Sequence, residues 1–210
     1  MSTSVERTAS RRPGGRTADV TDRIHEAVRA LLLEGGTQAC TFKAIAERAG
    51  VERSTLYRRY SDRWDMLIDA FIELAGTDIV PTPGESFADD LKSVLHKLVA
   101  ILKSPLGPAV MNVAAELRRD ERDDVSRIFF DRRMAQLDPM FEAAIARGEL
   151  RPDVDREALF TLAAGPIYFR MFIVARGVDD EFIHSLAASV CWLHCTPSAA
   201  AKLSLPARIA

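Results

Sequence analysis

The chain is poor in cysteine. It has three, Cys40, Cys191 and Cys195, in 210 residues. That number gives no even disulfide framework and points to a reducing compartment, the cytoplasm. The N-terminus carries no apolar segment of the kind a secretory signal needs. The longest largely apolar run, Phe160 to Phe169, is closed by Arg170 and falls well short of the ~20 residues that span a bilayer. No membrane partner is expected. Also missing are a paired-carboxylate signature, a phosphate-cradling loop and a nucleophile beside its base. No catalytic residue, metal or cofactor is therefore expected. Cys191-x-x-His194-Cys195 spaces two thiols at i, i+4, but a structural zinc wants four ligands, so buried thiols near a helix end are the preferred reading. His96 and His184 lie among apolar neighbours and read as core or interface histidines. Asp138-Pro139 reads as a kink rather than an acid catalyst.

Charge is present but unevenly placed. The formal net charge is −2. Met1 to Arg63 holds 12 Lys/Arg against 8 Asp/Glu, a net of +4, and the remainder is net −6. A basic head on an acidic body suits a nucleic-acid reader carried by a separate domain.

The most informative stretch runs from Thr41 to Leu67. Thr41 can cap a helix with its hydroxyl. Ile45, Ala46 and Ala49 form an apolar face at helical spacing, and Gly50 supplies the positive φ of a sharp turn. Ser54 to Tyr60 reads as a second short helix with Leu56 and Tyr60 inward. Arg53, Ser54, Thr55, Tyr57, Arg58 and Arg59 then point mostly outward. These side chains donate to phosphates and base edges, and none is acidic. Asp62 caps the next helix, with Asp65 as its capping-box partner and Arg63 within reach of a phosphate.

On these residues the chain resembles the DNA-binding domain of the TetR (tetracycline-repressor) family of one-component transcription regulators. The match lies in Thr41, Ile45-Ala46, Ala49-Gly50-Val51, Thr55-Leu56-Tyr57, Tyr60, Arg63 and Leu67. Arg63 stands where the family more often has Lys, Arg59 where it often has His, and Trp64 where Glu is common. None of these removes a phosphate-binding charge. The motif covers roughly a quarter of the chain and is specific for a short motif.

The remaining sequence reads as helices. Residues 1–17, with Arg7, Arg11, Arg12 and Arg16, read as a flexible basic arm, either a DNA contact or a solvated tail. Val20 to Glu34 carries the stripe Ile24, Ala27, Val28, Leu31 and Leu32 and ends at Gly35-Gly36. Cys40 reads as a small buried residue, and Phe42 is expected in the head core. Further helices are predicted from Asp62 to about Thr77, Phe87 to Lys103, Ala109 to Arg119, Val125 to Arg147, Leu159 to Ala175 and Glu181 to Cys195. The last two are apolar on nearly every side and must be covered on every side, as a central core or against a second subunit. The expected fold is all-α: a three-helix helix-turn-helix head at 18–63, a helical regulatory and dimerisation body at 64–198, and a loose tail at 199–210.

The resemblance implies a homodimeric regulator, a repressor by expectation, on a near-palindromic double-stranded operator. Thr41, Tyr57 and Arg63 would hold phosphates, and Arg53, Ser54, Thr55 and Arg58 would meet base edges. A four-helix dimer interface is expected through Leu159, Ala163, Ile167, Ile183, Ala187 and Val190. Family members hold a small-molecule effector among the body helices. Here Phe71, Leu95, Met111, Phe130, Met134, Leu137, Tyr168 and Phe172 are the candidate lining for an apolar one. The rival readings are a DNA-binding regulator with no small-molecule ligand and an all-α enzyme with an incidental helix-turn-helix.

Overall fold

Helix follows helix along the whole described chain. The structure, a computed structural model, describes residues 14–79 and 82–200. The elements are α1 (Gly14–Ala39), α2 (Phe42–Ala49), α3 (Arg53–Arg59), α4 (Arg63–Ile79), α5 (Phe87–Lys103), α6 (Leu106–Arg119) and α7 (Asp123–Ala146). They continue with α8 (Arg156–Tyr168), a π-helical segment (Phe169–Ile173), α9 (Asp180–His194) and α10 (Pro197–Ala200). No strand occurs among the described residues, so the all-α expectation holds. The chain divides into two compact units, Met1–Ala70 and Phe71–Ala210.

In the first unit, α1 breaks where its glycines stand. Gly35 and Gly36 leave helical geometry, with Gly36 at φ 65°, a conformation that costs little without a Cβ. Helix α1 nevertheless begins at Gly14, earlier than the expected arm boundary, because no helix-breaking residue separates Arg16 from Val20. The rest of the arm, residues 1–13, and the tail from 201 lie outside the described residues. Ile24, Val28, Ile45 and Leu56 are completely buried and form the centre of this unit. Cys40 is also fully buried, its thiol directed at the Val28 and Gly36 carbonyls, and burial pushes its pKa up to about 12. Asp62 caps α4 through the backbone N–H groups of Trp64 (2.7 Å) and Asp65 (3.0 Å). The Asp65 carboxylate reaches back to the Ser61 N–H at 3.2 Å, one residue before the usual capping-box donor.

The second unit is organised around α5. Leu91, Val94 and Leu95 are fully buried, and the helix packs against α6, α7, α8 and α9. Its first turn is fixed by a buried carboxylate. Asp90, 3% exposed, accepts the Gly84 N–H at 2.7 Å and faces Arg147 at 3.4 Å. Arg147 also donates to the Gly84 carbonyl and to Glu149, and Glu149 in turn accepts the Phe87 N–H. A loop, the start of α5 and the end of α7 are thus closed by one ionic network. Helix α6 starts earlier than expected, at Leu106, and turns 89° from α5. Gly107 permits that corner, since a Cβ there would lie 2.0 Å from the Leu102 carbonyl oxygen.

Two expectations about the last helices need correction. Leu159 to Ala175 is not one regular helix. After Pro166, which lacks an N–H, the winding loosens into the π-helical segment, with the Val174 N–H bonded to the Phe169 carbonyl. The six expected dimer-interface residues are also misplaced. Leu159, Ala163, Ile167, Ile183, Ala187 and Val190 are each at most 1% exposed and lie inside the core of a single chain. Residues that one chain already covers cannot be covered again by a second. The large exposed apolar residues of the same region are Leu162, Phe169, Ile173, Val174, Trp192 and Leu193. Asp138 meets Arg156 at 2.6 Å, and α7 runs on through Pro139. His96 is held between the Lys92 carbonyl and Asp180, whereas His184 is exposed rather than packed in the core.

Asp90→Ala should lower unfolding stability in urea by about 2–4 kcal/mol, because it removes a buried acceptor and leaves Arg147 without that partner. A loss inside the roughly 0.5 kcal/mol of ordinary surface changes would show that the network adds nothing. Alkylation with iodoacetamide should separate the thiols. Cys195 is partly exposed, and a hydrogen bond from Cys191 holds its pKa down, while the same bond and burial raise Cys191. Peptide mapping should find Cys195 labelled first, ahead of the buried Cys40 and Cys191. Early labelling of Cys40 would mean that the first unit opens locally.

Candidate nucleic-acid interface and body cavity

Helix α3 is short, seven residues, and its two sides differ in burial. Leu56 (0% exposed) and Tyr60 (8%) bury one side against the first unit. The opposite side presents Arg53, Ser54, Tyr57 and Arg58 to solvent, with Thr55 half-buried. Tyr57 is 64% exposed, yet its ring is fixed by parallel stacking on Phe42, centroid to centroid 4.5 Å. Its hydroxyl is thereby aimed outward on a rigid stem. Phe42, expected in the core, is instead half-buried and serves as that platform.

Thr41 caps α2 by accepting the Ala44 N–H at 3.1 Å. Its own O–H stays available as a donor. Arg53 lies 3.7 Å from Glu47, a solvent-exposed pair of little strength that an incoming phosphate or base can displace. The Arg63 guanidinium stacks 4.5 Å over Trp64, which is itself 4% exposed. The unusual tryptophan therefore braces the basic residue beside it. Arg59 differs from its expected outward placement: it is half-buried and donates to Thr21 at 2.7 Å, tying α3 to α1.

Sequence reasoning missed Lys43, exposed in the first turn of α2 next to Thr41 and Phe42. Its signal was its position straight after a capped helix start, where a cation is free to meet a phosphate. The other end of α3 is anchored by Asp69. One of its carboxylate oxygens accepts the Tyr60 hydroxyl at 2.9 Å and meets His25 Nε2 at 3.0 Å. Burial, followed by Asp69, raises the Tyr60 pKa, so that phenol stays a neutral donor.

The second unit contains a cavity of ≈ 240 Å³ between its helices. Of the expected lining, Phe71, Phe130 and Tyr168 do face it. Leu95 and Leu137 are fully buried in the core and are not among its walls. Met134 and Phe172 pack onto the outside of that core, and Met111 is half-buried elsewhere. The walls missed at first include Leu98, Phe129, Phe160 and Arg133. Arg133 is the unusual one, only 6% exposed. It donates to Gln136 at 3.0 Å, and its guanidinium carbon lies 5.9 Å from the Phe129 ring centre. Burial pulls its pKa down, and burial pushes that of Tyr168 up; each opposes the other's shift. The signal was legible: Val125, Phe129, Arg133 and Leu137 recur every four residues, so the arginine sits on an apolar stripe. Among the described residues no cluster of His, Cys, Asp or Glu could hold a metal. No single described helix is long and apolar enough to cross a membrane.

Comparisons with known proteins agree with this layout. The family model described as "Bacterial regulatory proteins, tetR family" matches residues 24–70, and "Tetracyclin repressor-like, C-terminal domain" matches 81–190. The chain is 33% identical over 159 residues to an uncharacterized HTH-type transcriptional regulator, YdeS, of Bacillus subtilis, covering 74% of this chain and 80% of that one. It is 25% identical over 175 residues to the DNA-binding transcriptional repressor TetR of Mycobacteroides abscessus, covering 80% and 90%. Among solved structures, the TetR family transcription regulator SCO0332 superposes with a TM-score of 0.66 at 25% identity, covering 82% of this chain and 97% of that one. With both halves matched and a relative this close, the chain belongs to the TetR family of helix-turn-helix, DNA-binding transcriptional regulators.

Proposed function

We propose that this regulator is a homodimeric repressor that binds a near-palindromic operator and leaves it when a small apolar effector enters the body cavity. The observation that carries the DNA contact is the outward face of α3, which is basic, hydroxyl-bearing and free of acids. Two copies of α3 would enter successive major grooves ~34–36 Å apart. Arg53, Ser54, Thr55 and Arg58 meet base edges; Thr41, Lys43, Tyr57 and Arg63 hold phosphates. Similarity to the M. abscessus protein, named a repressor, supports the sign of regulation. Leu162, Phe169, Ile173, Trp192 and Leu193 form the proposed dimer face, because they are the large apolar residues of the last helices left in solvent. Release requires that the effector bind one head arrangement better than the other.

A gel shift on the DNA upstream of its own gene, at two salt concentrations, tests the reading. A discrete complex that outcompetes random DNA and weakens with salt is expected. Arg58→Ala should weaken operator binding by about 10–100-fold and relax specificity, the cost of one lost bidentate base contact. Tyr57→Phe should weaken specific and random DNA alike, by several-fold. If Arg58→Ala and Arg53→Ala both bind like the parent, α3 is not the reading helix.

Trp192→Asp together with Phe169→Asp should convert the dimer to monomer in sedimentation at micromolar concentration, with the helical signal kept. An unchanged sedimentation coefficient would move the dimer face elsewhere.

A further inference from the structure

We infer that the effector of the body cavity is a small apolar monoacid, a compact aromatic or aliphatic body carrying one carboxylate, with Arg133 as the residue that reads the acid. The inference rests on the reading of that cavity as the effector site and adds the chemistry of what fills it. Two features of the walls carry it.

The first is their apolar, aromatic character combined with small size. Phe71, Phe129, Phe130 and Phe160 surround a space of ≈ 240 Å³. Clefts that bury drug-sized ligands run to roughly 300–1,000 Å³, so the occupant is smaller than that. The second is charge. Among the described lining residues Arg133 is the charged one; Thr161 and Tyr168 supply hydroxyls. A guanidinium has five N–H donors in a planar fork that matches a carboxylate in bidentate fashion. It stands 94% shielded from water, where a charge-assisted bond is stronger than at the surface.

An apolar ligand alone makes no use of a guanidinium in the wall. An acid at the end of an apolar body uses both parts of the wall: the rings take the hydrocarbon, and the guanidinium takes the carboxylate with the Tyr168 hydroxyl beside it. Arg133 also packs against Phe129 and is held by Gln136, which limits how it can turn. A dianion or a large polar ligand fits poorly, because one cation and two hydroxyls cannot replace its hydration in walls otherwise made of hydrocarbon.

The test compares 2-naphthoate with its neutral counterpart 2-naphthalenemethanol, by calorimetry on the full chain. The unaltered protein should bind the acid at least ~10-fold more tightly than the alcohol, the margin of a charge-assisted bond over a neutral one. Arg133→Met should bring the two within ~2-fold by weakening the acid alone, and Arg133→Lys should keep part of the preference, as a point charge without the fork. The acid-to-alcohol ratio in the unaltered chain needs no variant to fold. Equal or tighter binding of the alcohol overturns the ligand class while leaving the cavity as an effector site. An acid preference that survives Arg133→Met overturns the role of Arg133. No binding of either probe overturns both the ligand class and the cavity reading. A gel shift with 2-naphthoate present reads the regulator step separately: binding without loss of operator affinity keeps the ligand class and removes effector-driven release.

Discussion

One carboxylate sets the posture of α3. Asp69 receives Tyr60, the residue that ends α3, and His25, from the middle of α1, on the same oxygen. Tyr60 and Leu56 can then stay buried while the other side of α3 stays in water. A helix this short has little stability of its own. Its geometry is imposed by what it packs on, by the Arg59 bond to Thr21 and by the Phe42 ring beneath Tyr57. The outward side chains of α3 are thus held in place by residues packed on its other side. That division lets the outer face of α3 vary without disturbing the inner one.

The second unit solves a different problem. Its helices carry more apolar surface than one chain covers. Helix α5 takes the central place and is enclosed by four others. Helix α8, the π-helical segment after it and α9 bury one side in that core and leave Leu162, Phe169, Ile173, Trp192 and Leu193 in solvent. Under the proposed dimer, a second copy of the chain would cover these exposed residues. The residues first expected at such an interface are the opposite faces of the same helices. Both faces are apolar, so periodicity gives two equivalent solutions and only packing selects one.

The cavity follows from imperfect packing at a corner. The 89° turn between α5 and α6, allowed by Gly107, and the loosened winding after Pro166 each interrupt the regular stacking of helices. Tyr168 sits at the junction of α8 with its π-helical segment and lines the space. Irregular backbone of this kind is common where a protein must bind something. Arg133 then gives the space a sign of charge that its hydrocarbon walls lack.

The sequence alone determined the helix-turn-helix, its caps and turn, and which face of α3 looks outward. Those are local properties: a hydroxyl at Thr41, a glycine at Gly50, and the inward pair Leu56 and Tyr60 lie within one or two turns of what they control. It also determined the all-helical class, through the 3.6-residue period. Tertiary structure decided the rest. Leu95, Leu137 and Phe71 are alike in sequence, yet one lines the cavity and two are core, because that depends on the neighbour opposite. Arg59 turned inward to Thr21 and Phe42 outward to Tyr57 for the same reason. Arg133 lay on an apolar stripe in plain view, but a stripe says only that a position is covered. Whether protein atoms or an open cavity meet the charge there is decided by residues far apart in the chain, and no local pattern records them.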